Sequence, residues 1–203
     1  MIHVLPGSVS NGMRWSNPLG LIATAIAGTL LSNRYASIDK RIVDGPGTGG
    51  RGAVPAVSGF DLDGARLDIP DDLGPGPTVA IVAYQRHHQR DVDTWLPFLT
   101  GLEERVPGLR VFEFPTVRPM GVAGQEWLDG VMRAGIPDPA ARRRTVTLYV
   151  DVAAFNAAIG LPGADRVHVL VLDGDGRVTW RAEGPFDPVA ADELEAAVRT
   201  LAR

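Results

Sequence analysis

Two of the chain's four histidines stand side by side in Tyr84-Gln85-Arg86-His87-His88-Gln89-Arg90-Asp91. Imidazole gains and loses a proton near neutral pH, so His87 and His88 are candidates for acid–base work, with Asp91 as the adjacent carboxylate. Arg86 and Arg90 could hold an anion through charge-assisted hydrogen bonds, and Tyr84, Gln85 and Gln89 add neutral donors and acceptors. The same residues also suit a solvated loop in which Asp91 caps a helix. Adjacent histidines diverge on a strand and lie about 100° apart on a helix. They lack the i, i+4 spacing of paired ligands on one helix, so no metal is predicted.

The other candidates are more scattered. Arg118 and Glu126-Trp127 follow a second apolar run and could lean over the same region, with Trp127 readable as ligand platform or as core. His168 sits in an alternating strand pattern and reads as a satisfied sheet histidine. Arg142-Arg143-Arg144 could meet an anionic partner or form a solvated turn. Asp173-Gly174-Asp175-Gly176 lacks the remaining ligands of a calcium loop and reads as a hairpin turn. No Ser-His-Asp arrangement can be assigned from spacing.

Composition removes whole classes of function. The chain has 203 residues and no cysteine, so its own side chains supply no disulfide, thiolate nucleophile, zinc–thiolate site or iron–sulfur ligand. A net charge of −4 argues against sequence-independent nucleic-acid binding, which depends on neutralising phosphates. Lys40 is the only lysine; the excess of Arg, with abundant Ala, Gly, Val and Asp, fits a GC-rich bacterial coding bias. A domain of this size buries roughly 70% of its unfolded surface and needs no staple. No cofactor is predicted.

These residues need elements to position them. Phe60 to Leu67 predicts a hairpin turning at Asp63-Gly64. Pro77 to Tyr84 is a continuous apolar run that suits a central strand covered on both faces. Val92, Trp95, Leu96, Leu99 and Leu102 recur at helical spacing within 92–106. A second strand is predicted over 109–116 and a helix over 124–134, with Trp127, Leu128, Val131 and Met132 on its apolar side. A strand over 145–150, a short helix over 152–159 and a hairpin over 167–182 follow. The last helix runs over 188–201, with Asp187 as N-cap and Pro188 at its first position. The N-terminal part differs. Residues 1–44 form an apolar extension, and Asp44 to Gly52 is glycine-rich without the Lys-Ser/Thr ending of a phosphate loop. Residues 45–53 are expected to be a flexible linker, which leaves one domain over 54–203. Pro18 to Leu31 is short for a membrane span. Three readings stay open for it: a docked helix, a membrane-interface anchor or a cleaved signal.

Three features resemble known families. The segment from Phe60 to Tyr84 is similar to the opening of thioredoxin-like redoxin domains. Pro97 falls inside the next helix, where thioredoxins carry a kink proline. Counting back from it places Gln89-Arg90-Asp91-Val92 in the Cys-x-x-Cys slot. The C-terminal stretch, through Leu172, Asp173, Trp180, Gly184, Glu193 and Glu195, resembles the mitochondrial ATP synthase assembly factor family. The resemblance implies an α/β fold with a thioredoxin-like central mixed sheet flanked by helices and an N-terminal helical extension. It implies a non-redox binding or assembly protein, because both sulfurs are missing and no proline immediately precedes the strand starting at Val167. The expected partner is a protein or a small anionic ligand, with peripheral membrane contact through 18–31, in a cytoplasmic or membrane-associated setting, secretion being left open. The competing reading is a cysteine-independent small-molecule enzyme that uses His87, His88 and Arg90 for acid–base or anion-stabilising catalysis.

Overall fold

A computed structural model of the chain describes residues 52–203. The expectations for the 1–44 extension, and most of the 45–53 linker, lie outside the described residues. A seven-stranded mixed sheet has the order β2-β1-β5-β4-β3-β6-β7. Its strands are β1 (Val57–Asp61), β2 (Arg66–Ile69), β3 (Thr78–Ala83), β4 (Arg110–Val117), β5 (Val146–Tyr149), β6 (His168–Leu172) and β7 (Val178–Glu183). β3, β4 and β5 run parallel to one another, whereas β6 and β7 on one side and β1 and β2 on the other are antiparallel. The helices are α1 (Gln89–Arg105), α2 (Val122–Gly135), α3 (Pro139–Arg144), α4 (Val152–Ala158) and α5 (Pro188–Leu201).

Every residue of β3 is buried, as its unbroken apolar run requires of a strand covered on both faces. Alternation then divides the core. Val79, Ile81 and Ala83 face α1 and α5, packing with Val92, Trp95, Leu99, Leu102, Leu194 and Val198. Ala80 and Val82 point the other way and join Phe112, Phe114, Leu148, Leu170 and the α4 residue Phe155. Burying one such side chain is worth about 1.5–3 kcal/mol. An exposed ion pair such as Arg66–Asp68 is screened by solvent and contributes little. The two faces of the sheet therefore hold the fold.

Local signals act as predicted at both hairpins. The Asp61 carboxylate accepts from the Asp63 and Ala65 amides and closes the turn between β1 and β2, where Gly64 takes φ 93°. Asp173 does the same for Asp175 and Arg177 between β6 and β7, so its carboxylate is spent on a turn. The Asp187 side chain accepts from the Ala190 amide and starts α5 over the predicted span.

Three expectations are corrected. Arg142-Arg143-Arg144 is not a solvated turn. It is the last turn of α3, capped by Asp138, with Arg142 on Asp63 at 2.7 Å and Arg144 on Glu103 at 2.6 Å. Trp127 is not core: it is 53% exposed, and the residue of α2 that turns inward is Gln125. Asp91 does not cap α1, whose N-cap position is His88 with no side-chain cap bond.

Candidate functional site at the carboxyl ends of the central strands

β3 ends at Ala83 and delivers Tyr84 to the edge of the sheet. A 3₁₀ turn over Arg86–His88 follows and runs directly into α1. The turn is fastened twice. The His88 amide donates to the Gln85 carbonyl, and the Tyr84 amide donates to His88 Nδ1 at 3.2 Å. That second bond fixes the tautomer: Nδ1 is the acceptor, so the proton is on Nε2. The Gln89 amide returns to the Arg86 and His87 carbonyls, so the turn consumes amides that a bare helix start would offer to an anion. The expected slot, Gln89 to Val92, lies one turn beyond β3, with Gln89 half-buried, Arg90 exposed and Val92 fully buried.

The paired histidines part company. His87 is exposed, while His88 is 2% exposed, with ring centroids 4.6 Å apart. Burial is the chief cause that lowers the His88 pKa, and His87 and His168 push the same way. The Asp165 main chain and the Asp91 charge oppose this. Its Nε2 makes no hydrogen bond of ordinary geometry among the described residues, the Asp165 main chain acting on it only weakly. Arg86 and Arg90 are exposed and form no ion pair among those residues, as Gln85 is exposed too; Gln89 Nε2 donates to Asp93 at 3.0 Å.

Residues distant in sequence complete the cluster. The Tyr84 hydroxyl donates to Asn156 Oδ1 of α4 at 2.7 Å. Asn156 Nδ2 donates to the Gly163 carbonyl at 3.0 Å, and His168 Nε2 donates to the same carbonyl at 2.9 Å. The Tyr84 ring meets His88 and His168 edge-on, with centroids at 6.1 and 6.0 Å. Burial drives the Tyr84 phenol well above its ordinary range and lowers the His168 pKa. The cluster is therefore three neutral rings at neutral pH. His168 matches its expected role as a satisfied sheet histidine. Asn156 and the Gly163 loop carried no sequence signal of their own.

Above this cluster lies an open crevice of about 720 Å³ lined by Arg118, Asp151, Asn156, Pro162 and Gly163 among others. It sits where the parallel strands end, the usual place for ligands in open α/β sheets. Arg118 is thus brought to the site, whereas Trp127 lies outside the crevice lining on α2. That helix is tied to β5 by the Tyr149 hydroxyl, which donates to Asp129 at 2.8 Å. Among the described residues no group of His, Asp and Glu is placed to hold a metal, and no helix is long and apolar enough to cross a membrane.

No family model and no curated protein matches the chain. Solved structures do match. A protein of Aquifex aeolicus designated an electron transfer protein is 14% identical, with a TM-score of 0.53 over 75% of this chain and 97% of that one. BsSco, a member of the Sco family of cytochrome c oxidase assembly proteins, is 10% identical, with a TM-score of 0.54 over 75% of this chain and 94% of that one. The thioredoxin domain of a thiol-disulfide oxidoreductase from Bacteroides vulgatus is 13% identical, with a TM-score of 0.49 over 75% and 99%. Identities this low speak to the fold. The β3–α1–β4 opening, the β6–β7 hairpin and the closing α5 have the thioredoxin order, and the described residues adopt a thioredoxin-like α/β fold in a chain without cysteine.

Proposed function

We propose that this chain is a binding or assembly protein that uses the edge of a thioredoxin-like scaffold without thiol chemistry. One observation carries the reading: the rings behind the edge are engaged in holding it together. Tyr84 is bonded to Asn156, His168 to Gly163 and His88 Nδ1 to the Tyr84 amide. Groups committed in this way stiffen a surface and have little freedom to carry protons. What the edge offers outward is charge and shape: Arg86 and Arg90, which form no ion pair among the described residues, exposed His87, and Arg118 in an open crevice. Trp127 on α2 and Met120 before it are exposed apolar side chains, and an exposed Trp is of the type that anchors protein contacts.

The likeness to the ATP synthase assembly factor family supports an assembly role, with a qualification read from packing. Asp173 closes a turn, Trp180 is buried and bonded to Glu193, and Gly184 takes φ 87° while its carbonyl accepts from Trp95. These shared residues are thus accounted for by folding. The Sco relative shows that this fold has been used for assembly elsewhere. In this reading residues 18–31 provide a second contact, with the partner or a membrane surface. The enzyme alternative draws less support, because His88 is buried with Nδ1 occupied.

The test is capture of partners from intact cells by the full chain, by a chain lacking 1–44, and by Arg118→Glu and Trp127→Ala variants. The expected result is a defined partner held by the full chain and lost by at least one of the two point variants. Equal capture by all forms, or no partner for any, would overturn the proposal.

A further inference from the structure

A second cavity lies on the other side of the sheet from the His168–Asn156 cluster. It has a volume of about 360 Å³, within the range of small-molecule sites, and is enclosed by α1, α3 and the middle of the sheet. Hydrocarbon from Ile81, Leu96, Leu99, Val111, Ala140 and Ala141 forms part of its wall, and polar or charged side chains such as Glu103, Glu104 and Arg144 form the rest. Into this lining β4 places Glu113, beside Ile81 of β3 and bridged to Thr145. Glu113 is 9% exposed, and its carboxyl makes no hydrogen bond or ion pair among the described residues. Its oxygens are not among the fully buried unpaired atoms, so they open onto the cavity, where a carboxylate set largely in hydrocarbon is costly to ionise without a donor.

We propose that this cavity binds a small organic cation, with a primary ammonium or amidinium head on the Glu113 carboxylate and a hydrocarbon body against Leu96 and Leu99. The charges around the cavity set the sign. Asp93, Glu103 and Glu104 lie on α1, and Arg144 on α3 is the cation in the lining. Arg144 is turned to Glu103 at 2.6 Å, and Arg142 to Asp63, so neither neutralises Glu113. An anion would meet a carboxyl and further acidic groups, whereas a cation would supply the donor that Glu113 lacks. Burial, with Asp93 adding to it, raises the Glu113 pKa to about 7. Binding of a cation returns it to the ordinary carboxylate range and releases a proton. This site is separate from the crevice edge and does not depend on the partner-binding reading.

The experiment is titration calorimetry of the full chain with phenethylamine, 2-phenylethanol and phenylacetate, in two buffers of different ionisation enthalpy. The amine is expected to bind at least tenfold more tightly than the alcohol or the acid. It is expected to release a fraction of a proton at pH 7 and none at pH 9. Glu113→Gln is expected to lose at least tenfold in amine affinity, and Ala140→Trp, which fills the cavity from α3, to abolish binding while leaving the carboxyl in place. The proposal is overturned by failure of the amine to bind, by phenylacetate binding as well as the amine, by undiminished binding to Glu113→Gln, or by binding at pH 7 without proton release.

Discussion

Replacing Glu113 by glutamine removes a titration on the α1 face of the central sheet that acts against folding at neutral pH. The glutamate sits on β4 between β3 and β5 and is 9% exposed, with its pKa raised from 4.5 to about 7 by burial and then by Asp93. The sign follows from proton counting. Between pH 4.5 and 7 the folded chain holds a proton on Glu113 that the unfolded chain has given up, so stability falls as pH rises through that window. At about 1.4 kcal/mol per pKa unit, the cost of the ionised, buried carboxylate reaches about 3 kcal/mol at pH 8 and above. A glutamine of the same shape carries no such dependence. Urea denaturation of both proteins at pH 5, 7 and 9 reads the effect as a difference. The variant should gain up to about 3 kcal/mol relative to the parent between pH 5 and pH 9. Any cost of the new amide is the same at every pH, and other titrations cancel in the comparison. A difference between the two proteins that stays constant across this range would refute the placement of Glu113 in a desolvated, unpaired site.

Three other changes probe the crevice edge. Tyr84→Phe leaves Asn156 Oδ1 buried without its donor and should cost about 1–3 kcal/mol in urea denaturation; an unchanged midpoint would count against the network. His168 resists protonation when folded, so the parent loses stability as pH falls below the ordinary histidine pKa of 6.5; His168→Gln keeps a donor for Gly163 and should show a shallower loss between pH 7.5 and 5.5. Gln89→Cys with Val92→Cys puts two thiols at i, i+3 on α1, with Cα atoms about 5 Å apart and inside disulfide range; mass spectrometry after oxidation should find an intramolecular bond, and two persistently free thiols would contradict the assigned slot.

Much of the scaffold can be read from the chain because single residues carry it. Asp187-Pro188 announces α5, and the alternation of His168 to Leu172 announces β6. Asp138-Pro139 is the same start signal, yet α3 has six residues, too few for a periodic apolar stripe, and its arginines look like a solvated turn. In α2 the predicted apolar side holds in part: Met132 packs against Leu62, Ile136 and Ala141 and Leu128 and Val131 are half-buried, whereas Trp127 is exposed and the helix is also held through Tyr149, Asp129 and Gln125. Glu113 could have been found from sequence. In Val111-Phe112-Glu113-Phe114 the charge interrupts a run that predicts a strand covered on both faces, and such a strand has no outward position for it. The Tyr84–Asn156 bond spans 72 residues and could not be found this way, because both partners are ordinary residues whose meeting depends on tertiary packing.

The segment expected to align with a thiol slot, Gln89 to Val92, is occupied without chemistry. Its inner position is Val92, fully buried between α1 and the sheet, where an apolar side chain packs without desolvation cost. Its outer position is Gln89, which spends its amide on Asp93 within the same helix. Neither residue is poised for chemistry. Arg86 and Arg90, cations of the kind that would lower a thiol pKa there, are exposed and form no ion pair among the described residues. Free cations on a stiff edge contribute nothing to its packing, and a surface kept only for stability would gain from pairing or replacing them. Exposed guanidinium groups at the end of the central strand fit recognition of an acidic surface or anionic group, and this reading gives the electrostatics of the edge a use in a chain that has no thiol to tune.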